Sequence, residues 1–208
     1  GFGFVNKGGN AVPEGARERF LNLKIPPAWR DVQVSPDPFC HVQAIGLDVK
    51  GKKQYIYHPD WVKHNQEHKF DQMIIFGERL PTLRRAVSAH MHERRLTKDR
   101  VIATVIWLLE HTFIRVGNKE YADENQSYGL TTMREKHIKV KGNTLKFAFE
   151  GKSGISHEMD ITNPRIAKNV KACLDIPGYQ LFQYFDDDKN KKVVDSQDVN
   201  DYLVVHTG

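Results

Sequence analysis

Thr144-Leu145-Lys146-Phe147-Ala148-Phe149-Glu150, then Gly151-Lys152-Ser153-Gly154, then Ile155 to Ile161, is the stretch that decides the fold of the second half of the chain. Leu145, Phe147 and Phe149 alternate with Lys146 and Ala148, a period of two that predicts a strand with one buried face. The glycine-flanked tetrapeptide is a tight turn into another strand, which puts Lys152 at a hairpin tip. Upstream, His137 to Lys141 reads as a strand joined to the first by Gly142-Asn143, completing a three-stranded unit. Helices surround it. Asp99 to Phe113 carries Val101, Val105, Leu108 and Leu109 on one face, with Thr97 or Asp99 available as cap. Asn163-Pro164 is an N-cap followed by proline at the first helical position, opening a helix to about Leu174. A last helix is expected from Ser196. Ala122 to Gly129 reads as a polar segment.

The first third has a different grain. Asp31 to Ser35, Val42 to Asp48 and Lys52 to His58 read as strands, separated by turn signals at Ser35-Pro36-Asp37-Pro38 and Lys50-Gly51-Lys52. From Pro59 the spacing of Trp61, Phe70, Ile74 and Ile75 suits a helix, Leu80-Pro81 is expected to break it, and a basic helix is expected from Thr82. The class is therefore α+β: a small antiparallel β-rich N-terminal domain, residues 1–79, followed by a mainly helical domain, residues 80–208, that contains the three-stranded hairpin sheet.

The 208 residues carry 31 lysines and arginines against 26 acidic groups, a formal charge of +5. With 39% hydrophobic residues the composition is that of a folded protein rather than a disordered tail. No apolar run approaches the length a membrane helix needs. Cys40 and Cys173 are far apart and in no CxxC spacing, which argues against a disulfide scaffold and for a reducing compartment. Because the chain starts at Gly1 with no signal segment, it is expected to begin inside a longer reading frame. The basic excess is concentrated in residues 80–150, with 13 basic against 8 acidic groups. There Arg84, Arg85, Arg94, Arg95, Lys98 and Arg100 fall close together around His90 and His92. Such a run suits a polyanionic partner, or a solvated helix face with i,i+4 partners such as Glu93.

Several chemistries have no support, since no Walker A loop, GxGxxG, HExxH or GxSxG string occurs. Asp186, Asp187, Asp188 and Asn190 resemble the start of a calcium loop, but Lys191 stands where that loop needs glycine, so the segment reads as a solvated turn. His90 and His92 are two apart and cannot share a helical face, and no metal site is expected. Two cations stand out by position. Arg115 lies where the long apolar helix ends, and Lys152 on its turn. Alone, the first is a helix-dipole partner and the second a solvated turn residue. Aimed together at one phosphate, a guanidinium would neutralise nonbridging oxygens and an ammonium would protonate a leaving oxygen.

Five strings, in order along nearly the whole chain, resemble the type IB DNA topoisomerases of the compact bacterial and poxvirus kind. They are Ile25-Pro26-Pro27-Ala28-Trp29, Lys52-Lys53-Gln54-Tyr55-Ile56-Tyr57-His58-Pro59, Phe113-Ile114-Arg115-Val116-Gly117-Asn118, Tyr128-Gly129-Leu130-Thr131-Thr132 and Phe149-Glu150-Gly151-Lys152-Ser153-Gly154. The resemblance implies a clamp around duplex DNA and relaxation of supercoils without ATP or metal, through a tyrosine that forms a transient 3′-phosphotyrosyl link. It implies that Arg115 is one of two catalytic arginines and Lys152 the general acid. It also implies DNA contacts from Gln54, Tyr55 and Tyr57 on a strand facing the major groove, and from Asn118 and Tyr121 near the reaction centre. Strand alternation sets Tyr55 and Tyr57 on one face and Gln54 on the other. A tyrosine-recombinase relative shares the arginine and lysine logic but not the first two strings.

The family's second arginine lies in an Arg-Thr-aromatic motif, and its nucleophile further on. Neither is found in these 208 residues, and no tyrosine here matches the nucleophile motif. The expectation is a fragment that cannot cleave DNA alone, or alternatively a noncatalytic duplex-DNA-binding protein derived from the family. A monomer is expected, with duplex DNA as partner, no membrane, no cofactor, and a location in the cytoplasm at the bacterial nucleoid or another reducing, DNA-containing compartment.

Overall fold

The computed structural model describes residues 3–6 and 8–208, with the side chains of Tyr121, Glu124 and Asn125 outside the description. It divides into two compact units, residues 1–75 and 76–208.

In the first unit, α1 (Glu14–Asn22) precedes an antiparallel sheet of β1 (Arg30–Val34), β2 (Val42–Leu47) and β3 (Lys53–Tyr57), in that order. Phe20, Ile25 and Ala44 are its buried apolar side chains among the described residues. The indole of Trp29 lies so close over Gly46 that a β-carbon there would sit 2.8 Å from the ring, so only glycine lets this tryptophan down onto the sheet. Buried Gln43 accepts from Arg19 at 2.5 Å and donates to the carbonyls of Pro38 and Cys40, fixing the β1–β2 loop. The β2–β3 turn is set by Asp48, whose carboxylate accepts from the backbone N–H groups of Lys50 and Lys52, both at 2.9 Å, and from the Gln54 amide. Those bonds hold the Asp48 carboxyl below its usual range, the Lys52 N–H contributing most.

A single helix, α2 (Pro59–Met91), runs through Pro81. The expected break at Leu80-Pro81 does not occur. Proline removes one i→i−4 bond, and the carbonyl it orphans belongs to Gly77, which is exposed with open space beside it, so water can serve it. Burial of Leu83, Val87 and Met91 in the turns that follow offsets the cost of roughly 3 kcal/mol.

The second unit is built around α3 (Lys98–Thr112), capped by the Thr97 hydroxyl, which accepts from the Arg100 N–H. The helix is buried almost all round, from Val101 to Ile106 and at Leu108, so it is the centre of the unit rather than an amphipathic wall. Against it pack α5 (Pro164–Leu174) and α6 (Ser196–Thr207). The sheet of β4 (Ile138–Lys141), β5 (Thr144–Glu150) and β6 (Ser156–Thr162) is antiparallel throughout. As alternation requires, Leu145, Phe147 and Phe149 face the core from β5. Asn163 caps α5 by accepting from the N–H groups of Arg165 and Ile166. Two elements without an apolar pattern were not expected: α4 (Lys119–Asn125), in place of the first residues of the polar segment, and the hairpin β7 (Gln183–Phe185) with β8 (Lys191–Val193). The Asp186 to Asn190 segment is the turn of that hairpin, closed by the Asp186 carboxylate accepting from the Asn190 N–H at 2.7 Å. No helix among the described residues is long and apolar enough to cross a membrane.

Much of the basic run between residues 84 and 100 is already occupied. Arg84 pairs with Glu110 at 2.5 Å and Lys98 with Asp198 at 2.5 Å. Arg100 is in the core, 4% exposed, with Nε and Nη2 both donating to Asn169 Oδ1 at 3.0 and 2.7 Å. The run is therefore a mixture of paired surface charge and core structure, and not a continuous basic face.

Candidate functional site

Helix α3 stops at Phe113, which adopts the left-handed conformation (φ 57°, ψ 16°) that a helix terminus ordinarily reserves for glycine, and its N–H still reaches Leu109 O. The chain leaves the helix there, so Arg115 is three residues beyond the last helical residue and is not a partner of the helix dipole. Its backbone is held by a crossing segment, residues 128–131, whose last residues open a 3-10 turn (Leu130–Thr132). The Leu130 N–H donates to Arg115 O at 2.9 Å, and the N–H and hydroxyl of Thr131 both donate to Val116 O, at 2.7 and 2.9 Å.

Two glycines permit this crossing. A β-carbon on Gly129 would lie 2.6 Å from Arg115 O and from the backbone N and Cα of Gly117, and Gly117 itself has φ +100°. The same segment turns toward the sheet, where the Tyr128 N–H donates to Glu150 O at 2.8 Å. Residues 128–131 thus tie the arginine loop on one side to the end of β5 on the other, and β5 leads directly into the Lys152 turn. In that turn the Gly151 N–H donates to Ile155 O and the Gly154 N–H to Gly151 O, with Ser153 at φ 67° and Gly154 at φ 72°.

The outcome is that Arg115 and Lys152 line one cleft of about 470 Å³, together with Asn118, Glu120, Tyr128 and Gly129. Both cationic side chains are exposed, and among the described residues neither engages a carboxylate. Tyr128 is a stiff wall of the cleft. Its ring lies 4.3 Å from that of His137 and carries the Arg134 guanidinium at 5.3 Å, and its hydroxyl donates to Gln126. Burial, then the nearby charges of Lys136 and Arg134, hold the His137 imidazole below its ordinary value. Its Nδ1 accepts from the Arg134 N–H, which requires that nitrogen unprotonated.

A planar guanidinium and an ammonium lining one such cleft can bind a tetrahedral anion, neutralise charge on its oxygens and deliver a proton. Of the expected contact residues, Asn118 lines this cleft. Tyr121 lies in α4, with its side chain outside the description. Gln54, Tyr55 and Tyr57 are on β3 in the first unit. There Tyr55 and Tyr57 share one exposed face with ring centroids 5.9 Å apart, Lys53 lies over Tyr55, and Gln54 on the other face is bonded to Asp48. Tyr128, Glu120 and the two glycines at the crossing were not singled out from the sequence. Tyr128 and Gly129 belong to a string that carried the family resemblance, but nothing in sequence order says that it passes between the two cations.

An α+β unit with paired cations in an open cleft defines a candidate phosphate-ester site, and sequence comparison supplies the family. Residues 50–207 match the family described as eukaryotic DNA topoisomerase I, catalytic core, and residues 1–48 match bacterial DNA topoisomerase IB, N-terminal domain. A DNA topoisomerase 1B of Acanthamoeba polyphaga mimivirus is 35% identical over 195 residues, covering 92% of this chain and 58% of the relative. The DNA topoisomerase 1B of vaccinia virus is 28% identical over 151 residues, covering 69% of this chain and 47% of the relative. A DNA topoisomerase 1 of Mycosarcoma maydis is 27% identical over 129 residues, 59% of this chain and 13% of the relative. The chain belongs to the type IB DNA topoisomerase family. It spans about half the length of the two viral relatives.

Proposed function

We propose that these residues form the DNA-binding and proton-donating part of a type IB topoisomerase, which relaxes duplex DNA by reversible transesterification of one strand. The observation that carries the reading is the convergence of Arg115 and Lys152 on one cleft in a chain of this family. In the reaction a tyrosine hydroxyl attacks a backbone phosphorus and the 5′ oxygen leaves. Arg115 binds the nonbridging oxygens as negative charge develops in the transition state. Lys152 gives its proton to the departing 5′ oxygen and takes it back when that hydroxyl reseals the strand. Asn118 and Tyr121 contact the backbone near the reacting phosphate, and the stacked tyrosines of β3 and Gln54 contact DNA from the other unit.

No Arg-Thr-aromatic string occurs in the 208 residues, and no tyrosine among them matches the family's nucleophile motif. The polypeptide on its own therefore binds duplex DNA without cleaving it. The test is anisotropy of a labelled duplex at 50 and 200 mM salt. Neutralising as few as two phosphates makes the affinity fall about tenfold over that range. An affinity that does not change with salt would remove the DNA reading. SDS-resistant protein–DNA adducts from the 208 residues alone would overturn the division of labour proposed here.

A further inference from the structure

We infer that His157 is a positioning residue for Lys152, acting through its ring and not through its charge. The inference rests on the reading of Lys152 as proton donor. His157 on β6 is the direct cross-strand partner of Phe149 on β5, and the two rings stack with centroids 5.1 Å apart and planes 14° apart. The imidazole reaches past that pair to the turn. A β-carbon on Gly151 would sit 2.6 Å from both Cδ2 and Nε2 of His157, so the ring occupies the space that any side chain at residue 151 would need. Gly151 immediately precedes Lys152.

The turn itself has little else to stiffen it. Lys152, Ser153, Gly154 and Ile155 are all exposed, and two of the four have positive φ. Its internal ties are the Gly151 N–H to Ile155 O bond at 2.8 Å and the Gly154 N–H to Gly151 O bond at 3.1 Å. Both involve Gly151, the residue that lies against the imidazole. A long lysine on a loose turn reaches a donor geometry in only a fraction of its conformations, and a lysine on a turn braced from beneath starts near it. Phe149, the stacking partner, is 6% exposed, so the brace extends into the core of the unit.

The experiment has two arms. In the 208-residue chain, amide exchange of Gly151 and Gly154 is compared in wild type, H157A and H157F. The expected result is exchange at least tenfold faster in H157A and restored in H157F, whose flat ring fills the same space without a titratable nitrogen. In the complete protein, single-turnover cleavage is compared on a duplex with the ordinary 5′ oxygen and on one with 5′ sulfur at the scissile position. A thiolate leaves without a proton.

The expected result there is that H157A slows cleavage of the oxygen substrate ten- to a hundredfold, leaves the sulfur substrate within about threefold, and leaves the duplex Kd unchanged. H157F recovers the oxygen rate. Should H157A fail to fold, G151A presses on the same contact from the other side and is expected to give the same oxygen-selective loss. Equal loss on both substrates, or unchanged exchange in H157A, overturns the positioning role. Failure of H157F to restore the rate would instead make the imidazole nitrogens essential and overturn the ring-only account. If Lys152→Ala itself shows no preference for the sulfur substrate, the proton-donor reading of Lys152 fails, and that outcome is distinct from the others.

Discussion

Gly129→Ala is the substitution that bears most directly on how the two cations are held together. The new methyl carbon would sit 2.6 Å from three backbone atoms, Arg115 O and the N and Cα of Gly117, where ordinary contact begins at 3.4 Å. The two chain segments must therefore separate by about 0.8 Å, and because the obstructing atoms are backbone, no side-chain rotation relieves them. The Leu130 N–H to Arg115 O bond, 2.9 Å at rest, would lengthen beyond useful range, and the neighbouring Thr131 to Val116 bond would weaken. Overpacking of this kind together with the lost bonds costs about 2–4 kcal/mol of stability. The functional effect is larger in relative terms, since a displacement of nearly 1 Å at a reacting group costs on the order of a hundredfold in rate. Urea unfolding of the 208-residue chain, followed through α3 amide signals, measures the first quantity. Single-turnover cleavage by the complete protein, with duplex binding measured alongside, gives the second. Gly15→Ala, where nothing lies within 4 Å, is the control. A Gly129→Ala protein within about 0.5 kcal/mol of wild type and within twofold in cleavage would refute the argument that this crossing sets the site.

Other expectations follow from the core and the surface. Asn169→Ala removes the acceptor of two of the three Arg100 side-chain bonds in a fully buried position and should cost about 3–5 kcal/mol in urea unfolding, whereas replacing both Arg100 and Asn169 with apolar residues of similar size should cost far less. His137 is depressed by burial, so the unfolded chain takes up its proton first as pH falls. The stability it contributes is present above the unfolded value near 6.5 and is lost on acidification below it. Urea midpoints measured between pH 7.5 and 5 should show a fall that His137→Gln flattens. Burial pushes the Cys173 thiol up to about 12, so in the native chain Cys40, which is partly exposed, should react with a thiol reagent well before Cys173, as mass spectrometry of the labelled protein would show.

Local patterning made much of the scaffold readable. The period of two in β5 and the Asn163-Pro164 cap of α5 are short-range signals, and both elements form as those signals require. The break expected at Pro81 does not form because the propensity penalty is local, while the apolar side chains that offset it, Leu83, Val87 and Met91, gain their burial from tertiary packing. Helix α4 and the β7–β8 hairpin carry no apolar rhythm, and so no periodic signal announced them. Arg100 shows the limit for charge: as a letter it belongs to a basic run, and only packing shows that it lies in the core beside an amide. For the site, the sequence offered Arg115 and Lys152 as separate cations at structurally ordinary positions. The link between them is a backbone crossing at Gly117 and Gly129, and a glycine needed for close approach looks the same in a sequence as one needed for a turn.

The central claim, that Arg115 and Lys152 act on one reacting phosphate, is tested most directly by single-turnover strand cleavage in the complete protein with Arg115→Ala and Lys152→Ala, scored as SDS-resistant adduct. The account predicts a loss of about 10²–10⁴-fold in cleavage for each variant, with duplex affinity within about threefold of wild type. Cleavage that survives both substitutions, or falls only in proportion to lost binding, would contradict it.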